Sequence, residues 1–407
     1  MSSPAPAVAS ERHQVLVIGG GNAGLSVAGR LHRYGVNDVA VIEPRAEHRY
    51  QPLFSHVAGG RARLSSTVRP QASAFPRGVQ WIQDAATTID ADTRTVTLES
   101  GDTVGYEHLI VCPGIQRDWG RIPGLADAVQ TPQVASHYEF ELVNKTSRLL
   151  RDLRAGTAVF VEPPGPGSCS GAAQKPMYLA CDYWRRSGVL DGIRVVLVVP
   201  GETVFGIPLI DQELDRKIAE YGIELRTSSE LLAVDGVDRI ATIGSAGGAA
   251  GERIAYDVLN VVPPQSAPDW LRSTGLAAAD DPLGFVDVDP ETLQHRRHPQ
   301  IWALGDAAAT RNSKSGGALR KQTTVVAKNL VAALNSKPPS ARYDDYSVAP
   351  FTVSRHTVVF AEFDDQYRPQ PTIPFWPDLA RERRLTWVFD RYILPWVYWH
   401  LILKGRA

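Results

Sequence analysis

A cysteine in a loop of small residues has the clearest chemical potential of any side chain in this sequence. Cys169 lies in "GPGSCSGAAQKPMYL", where Ser168, Ser170 and Gly171 leave space around its sulfur. A helix is predicted to begin near Ala173, and the positive end of a helix dipole favours a thiolate over a thiol. A free cysteine is otherwise most often a small buried hydrophobe. The loop therefore supports two interpretations, a reactive sulfur or a packing residue.

The glycines of the same loop suggest a second alternative, a dinucleotide site. "GTAVFVEPPGPGSCSG" is typical of a strand followed by a loop and a helix. Gly165 and Gly167 are followed by Gly171, one residue later than G-x-G-x-x-G requires, and Pro166 stiffens the turn. After the next predicted strand, Gly201 and Glu202 have no basic cluster nearby. Tight NAD(P) binding is disfavoured here but stays open.

A regular dinucleotide motif lies near the start of the chain. In "HQVLVIGGGNAGLSVAGRL" an apolar run precedes Gly19, Gly21 and Gly24, which then lead into a helical pattern. These glycines permit a tight turn, close approach of a pyrophosphate, and packing of the helix on the strand. A second predicted strand ends at Glu43, whose carboxylate can accept hydrogen bonds from a ribose diol. We predict a nucleotide site formed by these four residues.

Later segments favour FAD as the nucleotide. "HPQIWALGDAAA" predicts a buried strand that ends at Asp306, where a carboxylate can bind the ribityl hydroxyls of a flavin, and "YEHLIVCPG" predicts another strand that ends at Gly114. In this order, the motifs resemble the FAD domain of the two-dinucleotide-binding-domain flavoproteins. Lys314, in the loop after Asp306, has two interpretations: a charge near the pyrimidine end of the flavin, or a surface salt bridge.

The order of the motifs predicts an α/β fold with two Rossmann-like domains and a C-terminal membrane-associating segment. Residues 11–118 and 282–345 are expected to form the two parts of an FAD-binding domain. Residues 119–281 would form the second Rossmann-like domain, which carries Cys169. Residues 346–407 are expected to hold a hairpin and an amphipathic membrane-associating region.

The C-terminal stretch predicts contact with a membrane surface. Residues 393–403 are nearly all apolar, include Trp396, Tyr398 and Trp399, and are flanked by basic residues such as Lys404. The run is too short to span a bilayer but suits a helix in the interface of an anionic membrane. The alternative is a helix docked in the core or in a dimer interface. The preceding "YSVAPFTVSRHTVVFAEFDDQY" alternates and predicts a hairpin that covers the flavin.

Composition excludes several other classes of function. The 407 residues contain 43 Lys and Arg against 44 Asp and Glu, so no net field attracts nucleic acid. Three cysteines are too few for a secreted disulfide framework, and the start of the chain does not resemble a signal peptide. We expect a cytoplasmic protein bound peripherally to a membrane. His295 and His298 have no third ligand in reach, so structural hydrogen bonding is favoured and no metal site is expected.

Several long motifs identify a family. "VLVIGGGNAG", "EPRAEHRYQPLF", "GPGSCSGAAQKPMYL", "DVDPETLQHRRHPQIWALGD" and "LPWVYWHLILKG" together resemble the sulfide:quinone oxidoreductases, especially the mitochondrial-like branch, from about residue 13 to the C-terminus. The resemblance implies an FAD enzyme in which sulfide adds to a bridge between two cysteines. One cysteine then forms an adduct with the flavin, and a membrane quinone takes the electrons. Cys169 matches the cysteine that forms this adduct.

The chain departs from this pattern at the second cysteine. The resemblance implies that residue directly after Gly305 and Asp306, where this sequence has Ala307. Cys181 cannot replace it, because twelve mostly helical residues put its Cα ~13 Å from that of Cys169, whereas a disulfide needs ~7 Å. We interpret Cys181 and Cys112 as packing residues, and for Cys112 the alternative is a second thiol near the flavin ring. A single cysteine would then need an external thiol or sulfane sulfur to do the work of the missing one.

The function predicted from the sequence is that of an FAD-dependent sulfide:quinone oxidoreductase-like enzyme. It would oxidise sulfide or another sulfur nucleophile through Cys169 and pass the electrons to a membrane quinone. One alternative is an NAD(P)H:quinone oxidoreductase in which Cys169 is dispensable. Another is a catalytically weak flavoprotein that binds or senses persulfides. The sequence leaves the sulfane acceptor undetermined and a homodimer open.

Overall fold

The computed structural model describes residues 11–245, 248, 251–372 and 380–407, and most of the N-terminal leader lies outside them. The strands are β1 (Glu11–Ile18), β2 (Val39–Ile42), β3 (Glu47–Arg49), β4 (Val68–Pro70), β5 (Gln80–Ile82), β6 (Ala86–Asp90), β7 (Thr95–Leu98), β8 (Thr103–Val111), β9 (Gln116–Arg117), β10 (Val134–Ala135), β11 (Gly156–Val161), β12 (Ile193–Val198), β13 (Glu224–Arg226), β14 (Glu230–Asp235), β15 (Ile240–Gly244), β16 (Glu252–Ala255), β17 (Val258–Val261), β18 (Gln265–Ser266), β19 (Ile301–Ala303), β20 (Ser347–Ser354) and β21 (Thr357–Phe363).

The helices follow the same numbering along the chain. They are α1 (Asn22–Arg33), α2 (Phe54–Ala58), α3 (Gln71–Ala74), α4 (Leu125–Ala128), α5 (Val143–Asp152), α6 (Gln174–Arg186), α7 (Pro208–Tyr221), α8 (Asp269–Arg272), α9 (Ala318–Leu334), α10 (Arg384–Val388) and α11 (Leu394–His400). A π-helical segment, Phe389–Ile393, joins α10 to α11.

The first sheet has seven strands and is built from two distant parts of the chain. Its order is β5-β2-β1-β8-β7-β6, and β19 pairs with β8. Strands β5, β2, β1, β8 and β19 are parallel, and β6 and β7 extend the sheet as an antiparallel meander. All four residues of β2 are buried, as is usual for a parallel strand covered on both faces. The pairing of β19 with β8 places residues 301–303 in the same sheet as β1, the strand that precedes the first nucleotide motif.

The second sheet has five parallel strands in the order β10-β17-β11-β12-β13. Strand β11 ends immediately before the loop that carries Cys169, and α6 follows that loop. A separate three-stranded antiparallel sheet, β14-β15-β16, lies next to this unit in sequence. Strands β9 and β18 form a short antiparallel pair of their own, outside both large sheets. The architecture is thus α/β with one mixed and one parallel large sheet, and the α/β class agrees with the order of motifs.

The predicted hairpin is confirmed as β20 and β21, which pair antiparallel with a register shift between Phe351 and Ser354. The hairpin packs on α6 and on the cysteine loop. A Cβ placed on Gly171 would overlap the ring of Phe351, so the chain requires glycine there. The hairpin therefore covers the loop that holds Cys169.

The C-terminal segment is both docked and exposed. Trp387, Tyr398, Trp399 and Leu403 are buried in the core of the first sheet. The opposite side of the segment forms an outer face of six exposed apolar side chains: Leu385, Val388, Phe389, Tyr392, Ile393 and Trp396. Their spacing places them on one side of the helix. The core-docking interpretation thus describes the inner side of the segment, and the membrane-facing interpretation of the outer face stays a prediction.

Lys404, one of the basic residues that flank the apolar run, donates to the backbone carbonyls of Ser73, Ala74 and Phe75 at 2.9, 2.8 and 2.7 Å. These carbonyls lie at the end of α3, where helix carbonyls have no partner within the helix. Lys404 therefore anchors the chain end to the first domain.

Candidate functional site

The glycine turn between β1 and α1 forms a cradle of backbone. Gly19 has φ +102°, and a Cβ on it would overlap the carbonyl of Cys112, while a Cβ on Gly24 would overlap the carbonyl of Gly19. Of the described atoms, none lies within 4 Å of a Cβ placed on Gly21, so this residue faces open space. No described side chain caps the start of α1. These features fit a pyrophosphate, which a helix N-terminus binds through backbone amides.

Glu43 lies at the rim of this cradle, directly after β2. Its carboxylate accepts hydrogen bonds from the backbone N–H of Gly20 at 2.8 Å and of Arg45 at 2.9 Å. These two hydrogen bonds fix the orientation of both carboxylate oxygens of Glu43 next to the glycine turn. This geometry suits a ribose diol, and that role for Glu43 stays a prediction.

The carboxyl ends of β8 and β19 place Gly114 and Asp306 at the same edge of the first sheet. Gly114 has φ +84° and open space on its Cβ side among the described atoms. Asp306 lies in the turn after β19, and the Gln322 side chain accepts a hydrogen bond from the neighbouring Gly305 N–H at 2.9 Å. Burial raises the pKa of Asp306, while Lys314 and a hydrogen bond from Ser168 lower it. The predicted flavin-binding residues therefore converge on one edge.

Lys314 is buried, with 4% of its surface exposed, which excludes the surface salt bridge. Its Nζ donates to the carbonyl of Ala308 at 2.6 Å and lies 4.0 Å from the centre of the Phe285 ring. Burial lowers the pKa of Lys314 to about 8, although Asp306 and Asp281 act to raise it. The lysine is thus an internal cation next to Asp306.

Cys169 is held against the segment that carries Lys314. The N–H of Cys169 donates to the carbonyl of Lys314 at 2.6 Å, and Ser168 forms an isolated bridge with the same residue. Tyr138 donates to the carbonyl of Ser168 at 2.8 Å. Cys169 has φ +67°, a left-handed conformation that non-glycine residues adopt rarely and often at functional sites. The loop after β11 thus presents Cys169 to the edge where Asp306 and Lys314 lie.

A lysine approaches the sulfur directly. The Nζ of Lys175, in the first turn of α6, lies 3.2 Å from Sγ of Cys169. The lysine is 7% exposed, so its ammonium acts at short range with little screening by water. A positive group beside a cysteine favours the thiolate. Lys175 therefore supplies the electrostatic support that the sequence had assigned to the helix dipole.

The N-terminus of α6 contacts the carboxylate of Glu162, and not the sulfur of Cys169. The backbone N–H of Ala173 donates to Oε1 of Glu162 at 2.8 Å. Burial raises the pKa of Glu162 to about 7, while the backbone amides of residues 172–174 and the charge of Lys175 lower it. The expected contact between the helix N-terminus and Cys169 is therefore replaced by a contact with a carboxylate at the end of β11.

The other two cysteines are packing residues, as predicted. Cys112 is buried, and its Sγ lies 3.8 Å from the carbonyl of Gly19. Cys181 is buried on α6. Burial raises the pKa of both thiols. All three cysteines of the chain are free, and Ala307 is fully buried. Cys169 accordingly has no disulfide partner within the chain.

A buried hydrogen-bonded chain links the glycine turn to the C-terminal segment. Nε2 of Gln71 donates to the carbonyl of Gly20 at 2.8 Å, and Nδ1 of His48 lies 3.1 Å from Oε1 of the same glutamine. Nε2 of His48 is 2.7 Å from the hydroxyl of Tyr398. Burial lowers the pKa of His48 to about 4, so the imidazole is neutral at physiological pH. The Tyr50 ring packs on Tyr398, with centroids 4.4 Å apart.

The remaining histidine prediction concerns His295. Its Nε2 lies 3.0 Å from the carbonyl of Leu276, and Nδ1 accepts from the backbone N–H groups of Arg297 and His298 at 3.0 and 3.1 Å. Structural hydrogen bonding at His295 is confirmed. Within the ranges that the structure describes, no group of three or more metal-ligating side chains is found, and no helix is long and apolar enough to cross a bilayer.

Comparison with known proteins agrees with this geometry. The family model described as pyridine nucleotide-disulphide oxidoreductase matches residues 13–159. The mitochondrial sulfide:quinone oxidoreductase of Mus musculus is 34% identical over 400 residues, covering 98% of this chain and 88% of that protein. That of Dictyostelium discoideum is 30% identical, covering 97% and 86%. The solved sulfide:quinone oxidoreductase of Aquifex aeolicus aligns with a TM-score of 0.83 at 19% identity, covering 97% of this chain and 92% of that one. With its near full-length match to these relatives, the chain belongs to the sulfide:quinone oxidoreductase family.

Proposed function

We propose that this protein is an FAD-dependent sulfide:quinone oxidoreductase in which Cys169 is the reactive sulfur. The observation that carries the proposal is the docking of Cys169 on Lys314, beside Asp306, with the ammonium of Lys175 3.2 Å from its sulfur. A packing cysteine needs neither a left-handed backbone nor a buried cation. The geometry therefore favours the reactive interpretation over the packing one.

The cradle residues fit FAD and would divide its binding between them. The turn at Gly19, Gly21 and Gly24 would hold the pyrophosphate, Glu43 the adenosine ribose, and Asp306 the ribityl chain. Bound FAD supplies the two-electron acceptor that sulfur oxidation requires and that no side chain can provide.

Near the flavin ring, Gly114 would leave room for backbone approach, and Lys314 would place a positive charge beside it. Cys169 would bind the incoming sulfur, and Lys175 would keep the cysteine in its nucleophilic form. An external thiol or another sulfane acceptor would then remove the bound sulfur, because the chain has no second cysteine beside Cys169.

The quinone is proposed to arrive from a membrane surface bound by the outer face. The six apolar side chains of that face lie beside two grooves that carry basic groups. One groove contains Arg61, Arg63 and Arg391, and the other contains Arg186, His356 and Arg384. Exposed apolar residues with adjacent positive charge suit the interface of an anionic bilayer. The segment would thereby bring a lipid-soluble acceptor close to the site.

The proposal also includes the cellular location and the quaternary structure of the protein. We expect the protein on the cytoplasmic face of a membrane, which fractionation of cells would test. A homodimer remains a prediction that sedimentation velocity on the FAD-loaded protein would resolve. The division of the chain at residues 118, 281 and 345 also stays a prediction, which limited proteolysis would test.

Anaerobic stopped-flow absorbance tests the chemistry. The FAD-loaded protein and its Cys169→Ser variant would be mixed with sulfide, and in separate runs with NADH. We expect sulfide to bleach the wild-type flavin through a long-wavelength intermediate that the variant lacks. Bleaching by NADH alone, equal in both proteins, would instead establish an NAD(P)H:quinone oxidoreductase. FAD binding without reduction by either donor would favour a protein that binds or senses persulfides.

A further inference from the structure

The side-chain amide of Gln265 is only half satisfied. Its Oε1 accepts a hydrogen bond from the backbone N–H of Ser168 at 2.9 Å, whereas its Nε2 is buried and has no partner among the described atoms. The residue is 3% exposed, so bulk water compensates the amide little. A buried donor without a partner is costly and calls for an explanation. The free N–H groups of Gln265 therefore indicate a ligand.

The contact with Ser168 determines which end of the amide is free. A backbone N–H can only donate, so the amide atom that faces it is the oxygen, and Nε2 points to another side. The atoms nearest to a Cβ placed on Gly167 are Cδ, Nε2 and Oε1 of Gln265, each 3.9 Å away. At Gly165, no described atom lies within 4 Å of such a Cβ. The amide of Gln265 thus borders space that the glycines of the loop leave free.

This free amide lies next to the reactive cysteine. Ser168 directly precedes Cys169, and its carbonyl accepts from the hydroxyl of Tyr138 at 2.8 Å, so the residue that Gln265 contacts is held through both its N–H and its carbonyl. The ammonium of Lys175 lies 3.2 Å from Sγ of Cys169. The cysteine loop therefore contacts a neutral amide from β18 and a cation from α6.

We propose that Gln265 is a substrate-binding residue whose free amide N–H donates to the small sulfur anion that reacts at Cys169. The anionic form of a sulfur compound is the nucleophile, and hydrogen bonds to an ionised acceptor are stronger than those between neutral groups. An amide has no proton to release at neutral pH, so it holds the anion without protonating it. The inference rests on the proposed function in taking Cys169 as the reactive sulfur.

The test compares the rates at which iodoacetate, an anion, and iodoacetamide, its neutral analogue, alkylate Cys169 in the FAD-loaded protein, followed by mass spectrometry of the peptide. Both reagents attack the same thiolate, so the ratio of the two rates does not depend on how far the thiol is ionised. In Gln265→Met the ratio of the iodoacetate rate to the iodoacetamide rate should fall about tenfold, the effect of about 1.4 kcal/mol.

Gln116→Met is the matched control on the neighbouring strand β9. Nε2 of Gln116 already donates to Asp118 at 2.9 Å and to Asp269 at 3.0 Å, so this amide is not free for a ligand. The ratio should stay that of the wild type in this variant. An unchanged ratio in Gln265→Met, or an equal fall in both variants, would overturn the inference.

Two further measurements do not depend on how Gln265→Met folds. Gln265→Glu keeps an acceptor for the Ser168 N–H, and at alkaline pH its ionised carboxylate should repel iodoacetate and lower the ratio. In the wild type, the ratio should be about tenfold higher than for the same cysteine in protein unfolded in urea. Equal ratios in either comparison would contradict an anion site beside Cys169.

The FAD ring is the competing partner for Nε2, and the same proteins test it. The absorption spectrum of the bound flavin and the affinity for FAD should be those of the wild type in Gln265→Met. A shifted spectrum or weaker FAD binding, together with an unchanged ratio, would assign Nε2 to the flavin and overturn the inference.

The alkylation assay uses neither sulfide nor quinone, so the two proposals fail separately. If sulfide does not bleach the flavin but the ratio responds as expected, the proposed function fails and the binding role of Gln265 stands. If neither reagent alkylates Cys169, both the proposed function and the inference fail.

Discussion

Nε2 of His56 lies 2.8 Å from Oδ2 of Asp390, and both side chains are buried. The contact joins α2 to the π-helical segment between α10 and α11. Asp390 points inward from a segment whose neighbours Phe389 and Tyr392 are exposed. The pair thus fixes the inner side of a helix whose outer side is apolar.

Replacing Asp390 with Ala should destabilise the protein. The change leaves the buried imidazole of His56 without its partner, and a buried polar group left without a hydrogen bond costs about 1–3 kcal/mol. The free energy of unfolding, measured in urea, should fall by this amount. Asp280→Ala, at an exposed position, is the matched control and should have little effect. Equal stability of the two variants would contradict a structural role for the pair.

We predict that a substitution at Gly21 weakens FAD binding without preventing folding. A Cβ on Gly21 meets no described atom, so Gly21→Ala should fold, but its methyl group would enter the space assigned to the pyrophosphate. We expect FAD affinity to fall about tenfold or more, the effect of about 1.4 kcal/mol. The ratio of flavin to protein after gel filtration measures it.

Gly24→Ala should weaken both FAD binding and stability, because its Cβ overlaps the carbonyl of Gly19. The apoprotein should therefore unfold at a lower temperature than the wild-type apoprotein. Gly120→Ala, at a glycine with open space and an ordinary backbone, should change neither property. A Gly24→Ala variant that keeps full stability would show that the turn can relax.

We predict that a charged substitution on the outer face weakens membrane binding, whereas the same substitution elsewhere on the surface does not. Trp396 is 57% exposed, and Trp396→Glu replaces an apolar contact with a charge that an anionic bilayer repels. Burial of one large side chain contributes about 2 kcal/mol, so affinity for anionic vesicles should fall by more than about tenfold in a flotation assay. Val237→Glu, at a valine that is 90% exposed elsewhere on the surface, should bind as the wild type does. Equal losses in both variants would exclude a localised membrane contact.

We predict that the charge of Lys314 makes the reduction potential of the flavin depend on pH. Its pKa is lowered to about 8, so the ammonium is present below this pH and is lost above it. A positive charge near the ring stabilises the electron-rich reduced flavin. We expect the midpoint potential of the wild type to show an extra break near pH 8. Lys314→Met should lack this break and lie about 30 mV lower at pH 7, equivalent to about 1.4 kcal/mol for two electrons.

Lys314→Arg is the matched control for that measurement. The guanidinium keeps its charge at alkaline pH, so the break should disappear while the potential at pH 7 stays close to that of the wild type. A break near pH 8 that persists in both variants would assign it to another group.

The sequence predicts best where a single local pattern determines the structure. The apolar run before Gly19 and the run before Asp306 are confirmed as β1 and β19, and the alternation after residue 346 is confirmed as a hairpin. Each of these depends on short-range periodicity and on turn residues. The positions of Gly114 and Asp306 at one sheet edge also follow, because parallel strands place their carboxyl ends together.

The site around Cys169 could not be predicted in full because it depends on contacts between distant segments. Glu162 and Lys175 were not identified as site residues. A lysine within the apolar start of α6 was the available signal for Lys175, but only the tertiary structure shows where its ammonium lies. Lys404 was recognised only as a basic residue flanking the apolar run, because its carbonyl partners come from residues 73–75, far away in sequence.

If the outer face binds a bilayer as proposed, the hydrogen-bonded chain from Gly20 through Gln71 and His48 to Tyr398 would link cofactor loading to membrane anchoring. Linkage between two sites is reciprocal. If ordering of the C-terminal helix strengthens FAD binding, then FAD binding stabilises the ordered C-terminal helix by the same free energy. A bilayer that binds this helix would then bind the FAD-loaded protein more tightly than the empty protein.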